Sequence, residues 1–523
     1  MWAYPEVKTL GDLVRYNHRN YAARPATVYQ GHTLSWAEMD ALSNRVAQGL
    51  LASGVKANDR VFYLAGNSDA YFAMIFGCAK VEAAFIPANW RLSPEELSVI
   101  LDDADPSIVF VEDSFKDLWE KAVAGREKQL PTVEINNGVL TSNPFFDWAN
   151  QYSDEDLNLP CQLESTAWQI YTSGTTGVPK GVELTHQGIN GMRLCEHLEP
   201  AYTWGPEDRF LFCVPSFHLL GIGLSVQALY NGSCVVIAPV FEPGSVLKLI
   251  NTEKPTLLGL APVMIQVLLD HPESVNTDFS CIREVMYAGS PIAVGLLKRA
   301  LEVIPCPFMQ FYGATEVGGA LTLLRPEDHD LNNEKLLASC GKPLPLIEMK
   351  LLDTNGGVIE GAGEPGELAV RTPAICKSYW NKPDAWSEVY ETGWYRTGDV
   401  AQRDENGFYY LVDRAKDMIV TGGENVYSTE VENCLSLHPA VAGVAVIGVP
   451  SERWGEEVKA LIIATPGVEV TEQELIDYAK SKLAGYKCPK TVDFVADFPR
   501  TGAGKISKKD LRLPFWEGKT RAV

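Results

Sequence analysis

The sequence has few of the features that mark secreted, fibrous or nucleic-acid-binding proteins. Its 11 cysteines include no Cys-x-x-Cys pair and no histidine-rich spacing, so we expect buried thiols rather than a disulfide framework or a zinc site. Basic residues are outnumbered, with 45 Lys and Arg against 67 Asp and Glu, and a net charge of −22 argues against a polyanionic partner. Residues 1–10 lack the apolar core of a signal peptide. We therefore expect a reducing, cytoplasmic location and no nucleic-acid partner.

One stretch, residues 210–230, is uncharged and long enough to raise the question of a membrane-spanning helix. Pro215, Ser216 and His218 interrupt it, and glycines and serines follow. We therefore expect a buried strand and then a helix here, and no transmembrane segment.

The rest of the composition is that of an ordinary globular protein, with 46% hydrophobic and 21% charged residues. A chain of 523 residues exceeds what one hydrophobic core normally holds, so two or three domains are expected. Short apolar strands alternate with helices in the first part, which is typical of a doubly wound α/β sheet. The predicted elements are a helix over 35–54, strands over 61–65, 84–87 and 108–112, and a helix over 69–82. The alternation recurs over residues 168–311, which predicts a second, related sheet beside the first.

From residue 348 the pattern changes to short β-rich segments broken by turn residues at 355–357, 364–366 and 406–407, which predicts a small β-subdomain over about 340–413. A compact α+β unit follows, with strands near 441–449 and 460–464. Its next helix begins with Thr471 and Glu474, the spacing of a capping box. A charged stretch over 414–417 suits an exposed hinge, which predicts domains over 1–413 and 414–523.

The strongest local motif is residues 171–181, which read Tyr-Thr-Ser-Gly-Thr-Thr-Gly-Val-Pro-Lys-Gly between two apolar strands. Glycines let backbone N–H groups face an anion, hydroxyls add hydrogen-bond donors, and the lysine adds a mobile positive charge. The motif lacks the spacing of a Walker A loop, and no helix follows directly. The residues predict a phosphate-binding loop of another kind.

This loop resembles the phosphate loop of the adenylate-forming family, which includes acyl-CoA synthetases, luciferases and peptide-synthetase adenylation domains. Further matches follow in the family's order, at residues 287–291, 310–316, 394–399, 413–417 and 499–505. The resemblance spans nearly the whole chain. It implies a large N-terminal adenylation domain of two doubly wound sheets with a β-subdomain, and a small mobile α+β C-terminal domain.

The same resemblance implies an ATP-dependent carboxylic acid:CoA ligase that uses Mg²⁺. The acid would first form an acyl-adenylate and pyrophosphate, and the acyl group would then pass to coenzyme A. By this resemblance, Tyr312 would stack on adenine and Thr315 would contact the α-phosphate. Asp399 and Arg414 would hold the ribose, and Glu316 with Thr175 would hold the metal. The other implied nucleotide contacts are Thr172, Ser173, Gly174, Thr176, Gly177, Lys180, Gly289, Ser290, Pro291, Gln310, Phe311, Gly313 and Ala314.

Lys505 lies in a glycine-rich turn and matches the family's catalytic lysine. Adenylation brings two anionic reactants together, and a lysine between them would offset their repulsion. Lys416 matches the hinge about which the family's C-terminal domain rotates. Gly422 and Gly423 would border the tunnel for the pantetheine arm of coenzyme A.

The segment over 215–221 matches the family's acyl pocket. It has Phe217 and His218 where amino-acid-activating relatives carry an aspartate, so we expect an acid without an α-amine. His218 would lie near the reacting carboxylate, and Leu220 and Gly313 would line the pocket. The apolar side chains in and after this segment favour a fatty or otherwise hydrophobic acid; they are Leu219, Leu220, Ile222 and Leu224. The number of subunits stays open, with a homodimer among the options.

Other functions stay open at this point. An aryl acid ligase of the cinnamate or benzoate type would need only a differently shaped pocket. An adenylation enzyme that loads a carrier protein, or a luciferase-like oxygenase, would share the first half-reaction. A non-catalytic ATP- or acyl-binding regulator would not need Lys180, Glu316 and Lys505 together.

Overall fold

A computed structural model describes residues 6–139, 143–172, 179–290, 292–414, 417–422, 424–451, 453–500 and 506–517. The chain groups into two compact units, a larger one of Met1–Glu348 with Arg371–Gly393 and a smaller one of Met349–Val370 with Trp394–Val523. The smaller unit thus includes strands that precede residue 414. The division into domains at 413 and 414 stays a prediction.

The elements up to residue 343 all belong to the larger unit. They are α1 (Leu10–Tyr21), β1 (Pro25–Tyr29), β2 (His32–Ser35), α2 (Trp36–Ala52), β3 (Arg60–Leu64), α3 (Asp69–Lys80), β4 (Ala84–Pro87), α4 (Pro94–Ala104), β5 (Ile108–Glu112), α5 (Lys116–Ala122), β6 (Thr132–Ile135), α6 (Pro144–Ala149), β7 (Thr166–Thr172), β8 (Lys180–Thr185), α7 (His186–His197), β9 (Arg209–Phe212), α8 (Leu219–Tyr230), β10 (Cys234–Ile237), α9 (Pro243–Glu253), β11 (Leu257–Leu260), α10 (Pro262–Asp270), β12 (Glu284–Ala288), α11 (Val294–Val303), β13 (Phe308–Ala314), β14 (Gly319–Leu324), α12 (Glu334–Leu337) and β15 (Lys342–Pro343).

The elements that follow belong to the smaller unit, apart from α13 and β19, which lie in the larger one. They are β16 (Glu348–Leu352), β17 (Val358–Ile359), β18 (Gly366–Arg371), α13 (Pro383–Ser387), β19 (Tyr390–Glu391), β20 (Trp394–Arg403), β21 (Tyr409–Arg414), β22 (Ile419–Thr421), β23 (Glu424–Val426), α14 (Ser428–Ser436), β24 (Val441–Ser451), β25 (Gly455–Ala464), α15 (Glu472–Lys480), β26 (Thr491–Phe494) and α16 (Lys508–Trp516).

Two large sheets form the larger unit, as the alternation of strands and helices predicts. One has six strands in the order β6-β5-β3-β4-β7-β8, and the other has nine in the order β15-β14-β13-β12-β11-β9-β10-β1-β2. Their inner strands are buried on both faces, as in β4 and β5, which explains why these strands are continuous apolar runs in the sequence.

The predicted division of strands between the sheets is wrong at one place. The pair β7 and β8 closes the first sheet, although the second sheet was expected to start near residue 168. The N-terminal strand β1 pairs in parallel with β10 of the second sheet, far along the chain. Chain order indicates which strands exist, but side-by-side pairing over long distances decides which sheet they join.

Individual helices and strands lie close to the positions predicted from the sequence. Ser35 caps α2 in a capping box with Glu38, and the uncharged run over 210–230 becomes β9 and α8. Within the described ranges, no helix has the length and apolar character needed to cross a membrane.

The smaller unit has two sheets of its own. In one, the order is β17-β16-β18-β20, with β21 paired to β20. The other has the order β23-β22-β25-β24, with β26 parallel to β25, and α14 and α15 pack on it around buried Ile419, Val446 and Leu475. Thr471 and Glu474 form the predicted capping box at the start of α15.

Candidate active site

Several predicted site segments meet at one edge of the nine-stranded sheet. Strands β9, β11, β12 and β13 are parallel neighbours, so their carboxyl ends lie at the same edge. The segment over 215–221 follows β9, Gly289 follows β12, and residues 312–316 end β13. This edge is where ligands bind in open α/β sheets. Residues that are far apart in the sequence therefore come together here.

The phosphate loop is held at its base by the β7–β8 hairpin. Tyr171 pairs with Gly181 and Thr172 with Lys180 across this ladder. A Cβ atom on Gly181 would lie 2.8 Å from the side-chain nitrogen of Gln169, so a larger residue here would displace that side chain. Ser173, Gly174, Thr175, Thr176 and Gly177 lie outside the described residues.

Tyr171 ties the start of this loop to α4. Its hydroxyl donates to Asp103 Oδ2 at 2.7 Å, and Lys382 Nζ donates to the other oxygen of Asp103 at 2.7 Å. Burial raises the pKa of Tyr171, and the neighbouring carboxylate of Asp103 raises it further. The hydroxyl thus keeps its proton and its hydrogen bond. The sequence did not indicate the role of Asp103.

A buried tyrosine that the sequence interpretation missed links two of the motifs. Lys180 Nζ lies 4.8 Å from the ring centroid of Tyr379, and the Tyr379 hydroxyl donates to Glu316 Oε1 at 3.0 Å. Tyr379 is only 4% exposed. The contact fixes the Glu316 carboxylate close to the lysine of the phosphate loop. The adjacent aromatic residues Tyr379 and Trp380 were the only sequence feature that could have drawn attention to this segment.

The chain around Tyr379, which we call the bridging segment (residues 373–380), runs beside β8. Its backbone N–H groups at Lys377 and Trp380 donate to the carbonyl oxygens of Glu183 and Gly181 at 2.9 and 2.7 Å. The N–H of Cys376 donates to the Glu316 carbonyl oxygen at 2.8 Å. The bridging segment therefore joins the phosphate-loop hairpin to the end of β13.

Glu316 suits the predicted metal role. Mg²⁺ in nucleotide sites is commonly held by one or two carboxylates together with substrate phosphates. In the part of the chain that the structure describes, no three His, Cys, Asp or Glu side chains form a ready-made metal cluster. A lone carboxylate held by Tyr379 fits an ion that takes its other ligands from a nucleotide.

Buried hydrogen bonds hold the strand ends of β12 and β13. The Tyr287 hydroxyl lies 3.1 Å from His329 Nε2, and His329 Nδ1 lies 2.8 Å from the carbonyl oxygen of Arg325. Burial lowers the pKa of His329, so the ring is neutral, with Nδ1 donating and Nε2 accepting the tyrosine proton. Gln310 pairs with Tyr287 in the neighbouring strand.

The residues just beyond these strand ends are more exposed. Gly289 has a φ of +94°, which favours glycine, and Ser290 is exposed. Pro291 lies outside the described residues. Along β13, Phe311 is buried and stacks on Tyr202 at 5.8 Å, while Tyr312 is half-buried at the edge, followed by Ala314 and Thr315.

Gly313 has a second reason to be glycine besides room for a nucleotide. A Cβ atom there would lie 1.8 Å from the carbonyl oxygen of Gly319 in β14. The β13–β14 hairpin thus requires this glycine with or without a ligand.

The acyl-side segment is held by the loop after β3 and by α3. Asn67 Oδ1 accepts from the Ser216 N–H at 2.9 Å, and the Tyr71 hydroxyl donates to the Ser216 carbonyl oxygen at 2.7 Å. His218 is the N-cap residue of α8 and is half-buried, with its ring 4.5 Å from that of Phe217. Leu220 is half-buried in the first turn of α8.

The ribose candidates lie in the smaller unit. Asp399 in β20 stands directly opposite Arg414 in β21, and its backbone N–H donates to Thr397 Oγ1 at 3.1 Å. The Arg414 side chain and the whole of Lys416 lie outside the described residues. Opposed positions on two strands suit two groups that bind one sugar.

Gly422 has a φ of +60°, and a Cβ atom on it would lie 2.8 Å from the ring of Trp454. Glycine is therefore needed here for backbone geometry and for packing. Gly423, its predicted companion in the tunnel, lies outside the described residues.

Lys505 also lies outside the described residues, but residues on both sides of it are described. Arg500 and Ile506 form an antiparallel bridge that closes the base of the lysine loop. In α16, which follows at once, Lys508 pairs with Glu432 at 2.7 Å and Arg512 with Asp417 at 2.8 Å. These ion pairs connect α16 to Asp417, which lies beside the predicted hinge.

Comparisons with known proteins agree with this arrangement. A family model for AMP-binding enzymes matches residues 14–380, and one for the AMP-binding enzyme C-terminal domain matches residues 430–505. The chain is 35% identical to the fatty acid–acyl-carrier-protein ligase ScoC of Streptomyces coeruleorubidus, over 99% of both chains. It is also 35% identical to a feruloyl-CoA synthase of an Amycolatopsis species, over 94% of this chain and 96% of the relative.

Among solved structures, the fold is similar to that of o-succinylbenzoate CoA synthetase (MenE) from Bacillus subtilis. The complex with the acyl-adenylate intermediate OSB-AMP has a TM-score of 0.82 at 30% identity, covering 95% of this chain and 97% of that one. The complex with ATP and magnesium ion has a TM-score of 0.83 at 29% identity, covering 95% and 98%. These matches extend over nearly the whole chain, and the protein belongs to the AMP-binding enzyme family, as an AMP-forming acid–thiol ligase.

Proposed function

We propose that the protein joins a hydrophobic carboxylic acid to coenzyme A through an acyl-adenylate. The observation that carries this proposal is the link from Lys180 through Tyr379 to Glu316. It connects a lysine that follows the hydroxyl-rich motif with a carboxylate that could hold Mg²⁺, and a bound triphosphate needs both kinds of group. Bound Mg²⁺ would neutralise charge on the phosphates.

In the first half-reaction, a carboxylate oxygen of the acid attacks the α-phosphorus of ATP, and pyrophosphate leaves. We assign to Lys505 the task of offsetting the repulsion between these anions, and to Thr315 a contact with the α-phosphate. Tyr312 would lie against adenine, and Asp399 with Arg414 would hold the ribose. These assignments rest on the family resemblance and on the position of each described residue at a strand end or opposed strand.

In the second half-reaction, the thiol sulfur attacks the acyl carbon, the proton is lost to solvent, and AMP leaves. A lysine that stayed between the reactants would obstruct this attack. We therefore assign to residues 414–417 the role of a hinge, and to Gly422 and Gly423 the wall of the pantetheine tunnel.

A hydrophobic acid is supported by the acyl-side segment. Residues 210–230 contain no charged side chain that could pair with an α-ammonium group. An aromatic acid is an alternative, since one relative is a feruloyl-CoA synthase.

A carrier protein is the second candidate acceptor, because a relative that matches nearly the whole chain is a fatty acid–acyl-carrier-protein ligase. Both acceptors present the same pantetheine thiol, so the site chemistry is shared.

The test has two stages. Pyrophosphate release is measured with ATP, Mg²⁺ and a panel of aliphatic and aromatic acids, and thioester formation is then compared with coenzyme A and with a pantetheinylated carrier protein. We expect release with hydrophobic acids and thioester formation on coenzyme A. Absence of pyrophosphate with every acid would contradict the ligase proposal, and thioester on the carrier protein alone would favour the second acceptor.

A further inference from the structure

One aspartate of the larger unit binds to both of the segments that hold the candidate active site. Asp103 lies at the C-terminal end of α4, and it accepts hydrogen bonds at its side chain and at its backbone carbonyl oxygen. It belongs to none of the motifs identified in the sequence. Its side chain is 15% exposed, so water competes little for these hydrogen bonds.

The two carboxylate oxygens of Asp103 have separate partners. Oδ2 accepts from the Tyr171 hydroxyl at 2.7 Å, at the start of the phosphate-loop hairpin. Oδ1 accepts from Lys382 Nζ at 2.7 Å, two residues beyond the bridging segment. The Tyr171 oxygen in turn accepts from Gln169 Nε2 at 2.9 Å. Hydrogen bonds to a carboxylate are stronger than those between neutral groups, so the carboxylate ties the two segments together.

The backbone carbonyl oxygen of Asp103 adds two further contacts. It is one of the last four carbonyl oxygens of α4, which lack the usual partner within a helix. It accepts from Trp380 Nε1 at 2.9 Å and from Asn381 Nδ2 at 3.1 Å. The C-terminal end of α4 therefore anchors the end of the bridging segment.

Trp380 extends this anchoring to the other strand of the hairpin. Its backbone N–H donates to the Gly181 carbonyl oxygen at 2.7 Å, and Arg60 Cζ lies 3.2 Å from the centroid of its ring. Gly181 pairs with Tyr171 across the β7–β8 ladder. Asp103 is thus connected to β7 through Tyr171 and to β8 through Trp380.

The bridging segment is also packed too closely to shift by itself. A Cβ atom on Gly191 of α7 would collide with the carbonyl oxygen of Pro373, and one on Gly318 would collide with that of Ala374. Interiors packed this densely transmit displacements rather than absorb them. A change at the anchored end of the segment should therefore move the groups that the segment holds.

We propose that Asp103 is a positioning residue for adenylation, which holds the hairpin and the bridging segment together so that the Lys180 amine and the Glu316 carboxylate face the same phosphates. The inference rests on the proposed function, since it takes these two groups as the ones that bind the phosphates of ATP and their Mg²⁺. Asp103 acts through Tyr171 and Trp380, and it does not act on the reacting atoms.

A positioning role of this kind affects only one half of the reaction. AMP lacks the two phosphates that leave as pyrophosphate, and the attack of the thiol on the acyl-adenylate does not involve them. Displacement of Lys180 or Glu316 should therefore weaken the binding of ATP with Mg²⁺ and slow adenylation. It should leave AMP binding and thioester formation unchanged, whereas partial unfolding would impair all four.

The test uses Asp103→Asn, which keeps the size of the side chain and removes its negative charge. Asp102→Asn makes the same change at the preceding residue of α4, whose side chain is 70% exposed, and serves as the control. Titration calorimetry gives the Kd of ATP with Mg²⁺ and the Kd of AMP. Rate assays measure pyrophosphate release and thioester formation from a separately supplied acyl-adenylate.

Loss of a hydrogen bond to a charged group corresponds to about tenfold in affinity or rate. We therefore expect Asp103→Asn to raise the Kd of ATP about tenfold and to lower the kcat/KM of pyrophosphate release by a similar factor. The Kd of AMP and the rate of thioester formation should stay within about twofold. Asp102→Asn should match the wild-type protein in every assay.

An unchanged Kd of ATP in Asp103→Asn, or an equal rise in the Kd of ATP and of AMP, would overturn the inference while leaving the ligase intact. If Asp103→Asn does not fold, Tyr171→Phe decides by the same criteria, because it removes only the hydroxyl that donates to Asp103. If no acid releases pyrophosphate with the wild-type protein, the proposed function fails, and the two Kd values decide the inference by themselves.

Discussion

Both compact units hold some predicted site residues in backbone ladders, as with Asp399 and Arg414 in the smaller one, but the contacts near these residues differ. In the larger unit, residues such as Gln310 and Tyr287 are paired in backbone ladders of one sheet. In the smaller unit, the residues that flank the predicted hinge and the lysine loop are held by charged side chains, Arg512 with Asp417 and Lys508 with Glu432. The backbone hydrogen bonds of a ladder cannot break without disrupting the sheet. The two side chains of an ion pair can separate, because water then hydrates each charge. The difference indicates a fixed scaffold in one unit and exchangeable contacts in the other.

The smaller unit's share in adenylation is tested by Lys505→Ala. We expect adenylation to fall by about 10³-fold, since groups that offset transition-state charge commonly contribute about 10²–10³-fold. Thioester formation from a separately supplied acyl-adenylate should continue. Pyrophosphate release and thioester formation are measured separately, with Lys509→Ala, at an exposed position of α16, as the control. Equal loss of both half-reactions would indicate misfolding instead.

The exchangeable contacts are tested by Lys416→Pro. Proline fixes φ and removes the backbone N–H, so a hinge at this residue should lose its rotation. We expect thioester formation to fall by about 10²-fold while adenylation stays within a few fold, following the usual separation of transition-state effects by step. Single-turnover assays of each step measure this, and Lys416→Ala shows what loss of the side chain alone does. Normal turnover by the proline variant would remove the argument for rotation.

The fixed scaffold is tested by Tyr379→Phe, which keeps the ring beside Lys180 and removes the hydroxyl that donates to Glu316. Loss of one hydrogen bond to a charged group corresponds to about tenfold in rate. We expect that drop in adenylation, together with a higher Mg²⁺ requirement, because the carboxylate is less well placed. Tyr390→Phe, in the same unit, is the matched control. An unchanged Mg²⁺ requirement would contradict the linking role of Tyr379.

The smallest expected effect concerns buried carboxyl groups in the two units. Burial raises the pKa of Glu284 to about 7, although Trp204 Nε1 donates to it. A raised pKa stabilises the fold at low pH, and this contribution is lost as the pH rises through about 7. By linkage, Glu284 alone should lower the free energy of unfolding by about 1 kcal/mol between pH 6 and 8. Glu284→Gln should flatten that slope, measured from urea midpoints.

Glu432 in the smaller unit supplies the contrast. Burial raises the pKa of Glu432 too, and the positive charge of Lys508 beside it only partly offsets that rise. Glu432→Gln should therefore destabilise the protein at every pH tested, because it leaves Lys508 without its charged partner. Glu196, whose pKa burial also raises to about 7, keeps its share of the slope in the Glu284 variant. An identical slope with and without Glu284 would show that its carboxyl is ionised throughout.

Short-range features could be predicted from the sequence. The capping boxes at Ser35 and Thr471 and the hairpin around the phosphate loop depend on residues a few positions apart. The family resemblance added the order of the motifs and so the class of reaction.

Long-range contacts could not be predicted. Tyr379 meets Glu316 across 63 positions of the chain, and β1 pairs with β10, which begins far downstream. No periodicity or motif encodes such pairs, because many partners would satisfy the same local pattern.

The sequence by itself determined the strands, the helices and the chemical types available at each motif, because backbone propensity, capping and charge act locally. Only the tertiary structure decided which of these groups share a site. Parallel pairing of β9, β11, β12 and β13 brings their ends to one edge, and the end of α4 places Asp103 against Tyr171 and Trp380. The reason is physical: burying a polar atom is costly without a partner, and the partner is chosen by the fold as a whole.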